Sequence, residues 1–351
     1  MKAIRIANGA HRAAVKARSK TEHRLGSSSK MLQENELVPF EPTLLLGERL
    51  LVLAPHPDDE ILGCGGLIAL HAAARRKITV VVATDGAGAD NAGPDLDAYR
   101  ARRERETIDG LAVLGTSEST FLRLPDRRLE HESERLAAGL HAAIETTRPD
   151  LVAVPSPLEI HPDHVALAIT LLRSIREADV PTCLEPATRV AFYEVSQPFR
   201  PNALVDISGV AELKQRAAAK HASQLDVREY GRFARGLNDY RAMSLPREVT
   251  AAEGYWIATV SELRAMTRSA LRDAMSPAWQ DVDGDESGRH AEEARALGTL
   301  LEEHREAVTR QTETINDLFR EIDRLNALVN EMRNSKRWKL HEAIGRLTGR
   351  G

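Results

Sequence analysis

The sequence predicts a doubly wound α/β domain with a mostly parallel sheet, followed by a C-terminal α-helical coiled coil. Between residues 49 and 260, short continuous runs of Val, Ile and Leu alternate with longer helical stretches. Runs that are apolar on both faces are typical of parallel strands covered by helices, and their alternation with helices indicates a Rossmann-like arrangement. Beyond residue 290 the apolar positions recur every 3.5 residues, which is the coiled-coil repeat.

Six apolar runs have the length and composition of strands. In chain order they are 49–54, 78–83, 119–124, 151–155, 189–195 and 203–207, and the segment 254–260 completes the domain. Helices are expected at 62–75, 99–114, 133–147, 163–178 and 210–225. Because strands and helices alternate along the chain, the strands are predicted to be parallel and joined by helical crossovers.

The C-terminal repeat predicts a coiled coil over residues 291–335. Ten of the twelve a and d positions between Ala294 and Met332 are apolar, counting alanine. In the last three heptads β-branched residues occupy a and Leu or Met occupies d, which favours a parallel two-stranded coil. His304 and Gln311 at d weaken the middle of the seam. We expect a homodimer or attachment to a partner; a single long helix packed on its own domain is the alternative.

Composition indicates the boundaries of the other segments of the chain. Residues 1–45 form a basic leader, since the first 30 residues carry eight Lys or Arg and one acid. A flexible, solvated leader is expected, and a basic surface helix that touches anionic lipid is the alternative. The α/β domain is assigned to 46–270, a linker rich in Asp, Gly and Ser to 271–290, and a basic tail to 336–351.

Charge and composition exclude several classes of protein. The 48 Lys and Arg against 52 Asp and Glu give a net charge of −4, and aromatic residues make up only 4% of the chain, so no nucleic-acid partner is expected. Two cysteines, Cys64 and Cys183, are too few for a disulfide framework and fit a reducing compartment. No apolar run approaches the roughly 20 residues that cross a bilayer. We expect a cytoplasmic protein whose basic ends could touch the inner face of the membrane.

The loop after the first predicted strand concentrates groups that bind cations. Residues 55–60 read Pro-His-Pro-Asp-Asp-Glu, so one imidazole and three carboxylates lie within five residues. A doubly wound sheet binds ligands outside the carboxyl ends of its strands, which is where this loop lies. Carboxylates this close repel one another, and a divalent cation is the simplest counter-charge.

A second loop of the same kind follows the fourth predicted strand. Residues 155–164 read Pro-Ser-Pro-Leu-Glu-Ile-His-Pro-Asp-His and add two histidines and two carboxylates. If the two strands are neighbours, one His and one Asp from the first loop and one His from the second could bind a metal and leave a position open for water. Two imidazoles favour zinc over magnesium. A lone His-Pro or Asp-Asp pair is ordinary turn chemistry, but two such clusters that each close a buried strand are hard to explain as turns.

The glycine-rich segment 63–66 could also be interpreted as a phosphate-binding loop. It lacks the dinucleotide fingerprint, and it lacks the lysine and threonine of a nucleoside-triphosphate loop. Close approach of a helix to a strand is the preferred explanation. Cys64 within it is expected to be a small buried residue rather than a nucleophile.

The two loops together resemble the PIG-L/LmbE-like family of zinc-dependent N-acetylglucosaminyl de-N-acetylases, over about residues 48–260. Supporting traces are Thr84-Asp85-Gly86 after the second strand, Arg102 with Glu106, and Lys214 and Ala217 followed by His221-x-Ser223-Gln224. The resemblance implies one Zn²⁺ per chain.

The resemblance also implies the roles of individual residues. His56, Asp59 and His164 would bind the zinc ion, Asp58 would be the general base, and His161 would polarise the substrate carbonyl. These roles agree with the chemistry of a metal-assisted amide hydrolysis, in which a base next to a metal ligand can reach the attacking water. Glu159 stands where the family commonly has Asp.

Other residues are expected to support the site or the substrate. Asp163 is expected to orient one histidine through a carboxylate–imidazole hydrogen bond. The predicted substrate contacts are Arg102, Arg103, Tyr193, Glu194 and His221. For the arginines a solvated helix surface is the alternative, for Tyr193 and Glu194 a place in the core or at a sheet edge, and for His221 a local structural role.

The predicted function is removal of an acetyl group from an N-acetylated sugar or glycolipid. The segment 334–340, Asn-Ser-Lys-Arg-Trp-Lys-Leu, resembles the tails of bacterial glycosyltransferases and so points to cell-surface glycan assembly. The same chemistry would serve cleavage of another small amide conjugate. A catalytically inert, sugar-binding assembly protein is the alternative from a different class.

Overall fold

A seven-stranded mixed sheet forms the centre of the molecule. The computed structural model describes residues 33–88, 92–176, 184–225, 227–276 and the pair 324–325. The strands are β1 (Arg49–Ala54), β2 (Lys77–Thr84), β3 (Ser119–Leu124), β4 (Leu151–Pro155), β5 (Arg189–Tyr193), β6 (Ala203–Asp206) and β7 (Ala252–Thr259). Their order across the sheet is β3-β2-β1-β4-β5-β7-β6, and β1 to β5 run parallel. The predicted α/β class with a mostly parallel sheet is confirmed.

Helices pack on both faces of this sheet. Those found in the described part of residues 33–276 are α1 (Glu34–Leu37), α2 (Asp59–Ala73), α3 (Leu96–Leu114), α4 (Ser133–Thr147), α5 (Pro162–Arg176), α6 (Ala211–Ala218), α7 (Ala222–Leu225), α8 (Tyr230–Arg241), α9 (Val260–Ala265) and α10 (Arg268–Met275). Asp95 caps α3 by accepting a hydrogen bond from the backbone N–H of Ala98.

Alternate residues of β1 enter two separate apolar cores. Leu50 and Val52 pack on one face of the sheet in a cluster with side chains of α2, α3 and α6. Leu51 and Leu53 pack on the other face in a cluster with side chains of α4, α5 and α9. This two-residue period, with both faces covered, explains why the strand is a continuous apolar run in the sequence.

The site is positioned by the neighbours of β1. This strand pairs with β2 on one side and with β4 on the other, and Leu50 lies opposite Leu151. The chain winds in opposite directions on the two sides of β1, so β1 and β4 form the topological switch point, where α/β sheets bind ligands.

The last third of the sheet departs from the predicted pattern. β7 is antiparallel to both β5 and β6, with Arg189 opposite Thr259 and Ala203 opposite Tyr255. The single helix expected over 210–225 is two helices, because the backbone turns between α6 and α7. α8 was not predicted, since its 12 residues include three Arg and two Gly and its apolar stripe is narrow.

The folded unit extends beyond the predicted domain of residues 46–270 at both ends. Leu45, assigned to the leader, lies in the apolar core. Leu271 and Met275, assigned to the linker, lie one helical turn apart on α10 and are both buried. The first 32 residues, the linker beyond residue 276, the coiled coil apart from 324–325, and the basic tail lie outside the described residues. Among the described helices, none is both long and apolar enough to span a bilayer.

Candidate metal-dependent active site

Two loops that follow neighbouring strands supply the site. The first leads from Pro55, after β1, into α2, and the second leads from Ser156, after β4, into α5. Since β1 and β4 pair directly and in parallel, both loops leave the same edge of the sheet side by side. The structure therefore brings together the two histidine-bearing loops, as the sequence predicts.

The three predicted metal ligands meet at one carboxylate oxygen. Oδ2 of Asp59 lies 3.0 Å from Nδ1 of His56 and 3.1 Å from Nε2 of His164. Two atoms that are each about 2.0 Å from a tetrahedral ion lie about 3.3 Å apart, so these separations fit a shared metal ion. His56, His161 and His164 also each bring one ring nitrogen within 4.8 Å of the others, so His161 borders the same space.

Two carboxylates fix the orientation of His56. Its Nε2 lies 3.2 Å from Oδ1 of Asp126 and 3.2 Å from Oδ2 of Asp163. These acceptors hold the proton of a neutral imidazole on Nε2, which leaves the lone pair of Nδ1 directed toward Asp59. His56, Asp126 and Asp163 form a second group whose possible ligand atoms lie within 4.8 Å of one another. Hydrogen bonds from the Nε2 proton of His56 to the two carboxylates explain why these three residues lie so close together.

The carboxylates of Asp59, Asp126 and Asp163 favour a positive charge at the neighbouring histidines. Burial alone would lower the pKa of His164, but the charge and hydrogen bond of Asp59 raise that pKa to about 9. Burial also opposes protonation of His56, yet hydrogen bonds to Asp126, Asp163 and Asp59 raise its pKa well above the usual value. Burial would raise the pKa of Asp59, and the two histidines instead lower it strongly. A divalent cation meets the same demand for positive charge, so the donor set fits a metal.

The second ring nitrogen of His164 faces another acid. Its Nδ1 lies 3.6 Å from Oε2 of Glu159. Glu159 is held in place because its carboxylate accepts the backbone N–H groups of Val195 and Ser196 at 2.7 and 3.0 Å. Glu159 therefore links the second loop to the segment after β5.

Asp58 lies beside the ligands in a strained backbone conformation. Its φ of 137° is rare for a residue with a side chain. The carboxylate of Glu60 accepts the Asp58 N–H at 3.0 Å, and Arg103 donates to the carbonyl of Pro57. Burial raises the pKa of the Asp58 carboxyl to about 7, although the Arg103 guanidinium, 3.4 Å away, acts to lower it. Such a carboxylate is suited to proton transfer near neutral pH.

His161 presents one nitrogen to the site. Its Nδ1 accepts the backbone N–H of Asp163 at 3.2 Å, so the neutral ring carries its proton on Nε2. Burial and the neighbouring His56 and His164 lower its pKa, which favours the neutral form. The ring lies edge-on to His56, with centroids 4.6 Å apart. A neutral imidazole here can donate a hydrogen bond to an oxygen bound beside the ligands.

These side chains line a cavity of about 280 Å³. The lining residues are His56, Asp58, Asp59, Leu62, Gly88, Arg103, Asp126, Arg127, His161, His164, Val195, Ser196, Gln224, Val227 and Tyr230. The ligands and the base occupy one side, and residues from the segments after β3 and β5 and from α7 to α8 complete the wall. The cavity has room for a small ligand next to the candidate metal ligands.

Asp126 is a site residue that sequence reasoning missed. It follows β3 in the sequence Leu-Pro-Asp, at the same edge of the sheet as the two metal loops. Its other oxygen accepts the backbone N–H of Gly88 at 2.8 Å. The rule that identified the two loops, an acid just after a parallel strand, would have identified Asp126 as well. The companion residue Asp163 was predicted to orient a histidine, and the structure places it against His56.

The two arginines that were predicted to contact the substrate lie in different environments. Arg103 is buried and lines the cavity, where it contacts the base loop. Arg102 points along the outside of α3 and pairs with Glu106 at 2.9 Å. Successive helix residues point about 100° apart, so only one of the two side chains can face the cavity. Of the two, Arg103 faces the cavity, and Arg102 matches the alternative of a solvated helix surface.

The remaining three predicted contacts lie behind the cavity wall. Tyr193 is fully buried in the core and donates its hydroxyl to the carbonyl of Leu53 at 2.8 Å. Glu194 is buried in an ion pair with Arg241. His221 is buried with its Nε2 3.8 Å from Glu60, and burial lowers its pKa to about 3, which keeps it neutral. These residues stabilise the fold around the site, and direct contact with a substrate does not fit their placement.

Comparison with known proteins agrees with the site. Residues 51–173 match the model of the PIG-L family, described as GlcNAc-PI de-N-acetylase. Over 188 residues the chain is 31% identical to a probable N-acetyl-alpha-D-glucosaminyl L-malate deacetylase 2 of Bacillus subtilis, covering 51% of this chain and 84% of the relative. It is 29% identical over 194 residues to diacetylchitobiose deacetylase of Thermococcus kodakarensis, covering 50% and 70%.

Solved structures share the fold. An N,N′-diacetylchitobiose deacetylase from Pyrococcus horikoshii superposes with a TM-score of 0.54 at 24% identity, over 61% of this chain and 85% of that one. The conserved protein TT1542 from Thermus thermophilus gives a TM-score of 0.50 at 28% identity, over 59% and 93%.

The fold and the site define a metal-dependent hydrolase of amide bonds. The chain belongs to the PIG-L family of deacetylases, as the identity and coverage of its Bacillus relative show. The resemblance drawn from the two loops is thereby confirmed.

Proposed function

We propose that this protein is a zinc-dependent deacetylase that removes the acetyl group from an N-acetylated sugar. The observation that carries the proposal is the convergence of His56, Asp59 and His164 in one cavity with the buried carboxyl of Asp58 beside them. The two named relatives support the sugar, because one is named for an N-acetylglucosaminyl malate and the other for diacetylchitobiose.

His56, Asp59 and His164 are the residues that would hold the zinc ion. Two imidazoles and one carboxylate are a donor set that zinc accepts more readily than magnesium does. When bound, zinc supplies a Lewis acid that lowers the pKa of a coordinated water to about 7. Asp126 and Asp163 keep the proton of His56 on Nε2 and so maintain the lone pair of Nδ1 for this purpose.

Asp58 is proposed to move the proton. It accepts a proton from the attacking water and returns it to the amine that leaves when the amide C–N bond breaks. Its pKa of about 7 lets the same carboxyl act as base and then as acid near neutrality. Arg103 stabilises the ionised form and fixes the loop through the Pro57 carbonyl.

His161 is proposed to stabilise the acyl oxygen. With Nδ1 occupied by the Asp163 N–H, its Nε2 proton is available to the carbonyl oxygen as that atom gains negative charge. A donor aimed at this oxygen contributes only when charge develops, so it accelerates the reaction rather than merely tightening binding.

The rest of the cavity wall is suited to a sugar. Ser196, Arg127 and Gln224 offer polar groups, and Tyr230 offers an aromatic surface. Hydroxyl groups need such hydrogen-bonding partners, whereas the faces of a sugar ring pack on aromatic side chains. Another small amide conjugate is the second candidate, because the metal and base would serve any acetamide.

The setting of the reaction is proposed from the sequence. A cytoplasmic enzyme, held as a dimer or bound to a glycan-assembly partner by residues 291–335, would act on an N-acetylated sugar or glycolipid destined for the cell surface. The inert assembly protein is disfavoured because the candidate ligands and the base are all present in one site.

The test is acetate release by the full-length protein, stripped of metal and reloaded with zinc. The panel contains free N-acetylglucosamine, its glycosides, nucleotide-linked N-acetylglucosamine and non-sugar acetamides. We expect one zinc per chain and turnover confined to sugars. Asp97→Asn, which alters an exposed carboxylate on α3, is the matched control for variants of the site. Bound zinc without turnover of any amide would favour the assembly protein, and faster turnover of non-sugar amides would favour the second candidate.

A further inference from the structure

Exposed apolar side chains are concentrated in one short segment. Twelve large hydrophobic residues are exposed in the described part of the chain, and six of them lie between residues 225 and 243. They are Leu225, Val227, Tyr230, Phe233, Tyr240 and Met243, which we call the α8 surface. Single exposed apolar residues are common, but six of them within 19 residues favour an interaction site.

Three residues of the α8 surface belong to an apolar stripe along one helix. Tyr230, Phe233, Leu237 and Tyr240 follow the spacing i, i+3, i+7 and i+10, which places them within an arc of about 80° over roughly 15 Å of helix. Another face of α8 anchors it to the protein: Asn238 donates to the carbonyl of Ala252 at 3.1 Å. The stripe is therefore not the face that holds α8 in place.

Three apolar side chains of the α8 surface are more than half exposed. Phe233 and Tyr240 are each 57% exposed, and Met243, in the turn after the helix, is 75% exposed. Tyr240 and Met243 also border a second cavity of about 400 Å³, beside Phe199. Apolar side chains this exposed are covered when they enter a broad apolar layer.

Basic residues surround this stripe. Residues 216–240 contain five Lys or Arg and three acids, an excess of two positive charges within a chain whose net charge is −4. The side chains of Arg232 and Arg235, on the polar side of α8, are 78% and 54% exposed, and they pair with the exposed carboxylates of Glu229 and Glu212. Aromatic and apolar side chains on one side of a helix with arginines on the other are the pattern of helices that lie in the headgroup region of anionic membranes.

We propose that the α8 surface docks the protein on an anionic lipid bilayer. Phe233, Tyr240 and Met243 enter the boundary between headgroups and acyl chains, and the arginines contact lipid phosphates. Val227 and Tyr230 belong both to this surface and to the cavity wall. Docking would therefore place the mouth of the cavity at the membrane surface, within reach of sugars carried there. The inference does not depend on the identity of the substrate.

The test is sedimentation of the full-length protein with vesicles of phosphatidylcholine alone and with 30% phosphatidylglycerol, at low and at physiological salt. We expect binding to the anionic vesicles only. Phe233→Ser combined with Met243→Ser is expected to weaken that binding at least tenfold. Leu96→Ser combined with Ile108→Ser, which removes two exposed apolar side chains from α3, is the matched control and is expected to bind as the wild type does.

A second measurement locates the contact. In Phe233→Trp, the added tryptophan is expected to shift its emission to shorter wavelength on anionic vesicles and to be quenched by lipids brominated near the top of the acyl chain. Unchanged vesicle binding by the double variant would overturn the proposal and assign the membrane contact to another part of the chain. Binding of monomeric alkyl glucoside without binding of vesicles would also overturn it, as would self-association that the double variant abolishes.

Discussion

Replacement of Asp58 by asparagine is expected to lower kcat without lowering the stability of the fold. The amide has nearly the shape of the carboxylate but cannot accept the proton of the attacking water. Loss of a general base typically costs 10²- to 10⁴-fold in rate, so we expect kcat to fall by about that factor. Zinc content should remain near one per chain, because none of the three proposed ligands is altered.

The same substitution should stabilise the metal-free protein in a pH-dependent manner. Burial raises the pKa of Asp58 from an ordinary value of 3.8 to about 7, so the unfolded state loses this proton at lower pH than the folded state does. Below pH 4 the Asp58 carboxyl therefore does not lower the free energy of unfolding. Between pH 4 and 7 it lowers that free energy progressively, and above pH 7 the loss reaches its full size. Three pKa units correspond to about 4 kcal/mol, and the unpaired Arg103 in the variant offsets part of that gain.

Both effects can be measured on one preparation. Urea unfolding of the metal-free wild type and Asp58→Asn, at pH 4.5 and pH 8, gives the difference in unfolding free energy, and acetate release of the zinc-loaded proteins gives kcat. We expect a gain of about 1–3 kcal/mol at pH 8 and much less at pH 4.5. A kcat within threefold of the wild type would refute the assignment of the base. A gain that is equal at both pH values would refute the buried-charge argument.

Four further predictions follow from the contacts described above. His164→Ala should lose zinc as well as activity, measured by metal content after dialysis. Asp126→Asn should keep the fold but weaken zinc binding about 10- to 100-fold, measured by competition with a chelator, because it removes one acceptor of the His56 proton. Tyr193→Phe should leave kcat and KM within about threefold and lower the unfolding free energy by about 1 kcal/mol, since only the hydrogen bond to Leu53 is lost. A chain ending at residue 290 should be monomeric by light scattering and retain full activity; an unchanged mass would contradict dimerisation by residues 291–335.

The parts of the fold predicted correctly are those in which local pattern and tertiary environment agree. β1, β2 and β4 are covered on both faces, so each is a continuous apolar run whose ends are also visible in the sequence. The antiparallel direction of β7 could not be predicted in this way. Its residues 252–259 are as buried as those of a parallel strand, and direction is set by the long connection through α6, α7 and α8.

The site was predicted to the extent that its residues are close in sequence. Residues 55–60 and 161–164 each present several ligand types within one loop, which is a strong local signal. Asp126 is a single acid in its loop, and only the β3-β2-β1-β4 order brings it to His56. For Tyr193 and Glu194 the structure favours the alternative given with the prediction, a place in the core. Polar residues at a strand end resemble pocket residues, but these two satisfy their polar atoms inside the protein.

The strain at Asp58 shows how the surrounding fold supports the proposed chemistry. A side-chain-bearing residue at a φ of 137° costs on the order of 1–3 kcal/mol, in addition to the cost of burying its charge. The conformation persists because Glu60 binds its N–H on one side while Arg103 holds the Pro57 carbonyl on the other. Gly86 is required next to this loop, since a Cβ there would lie 2.9 Å from the Pro57 ring. The base thus depends on contacts from α2, α3 and the turn after β2; α2 and α3 pack in the apolar core on one face of the sheet, and β2 contributes side chains to both cores.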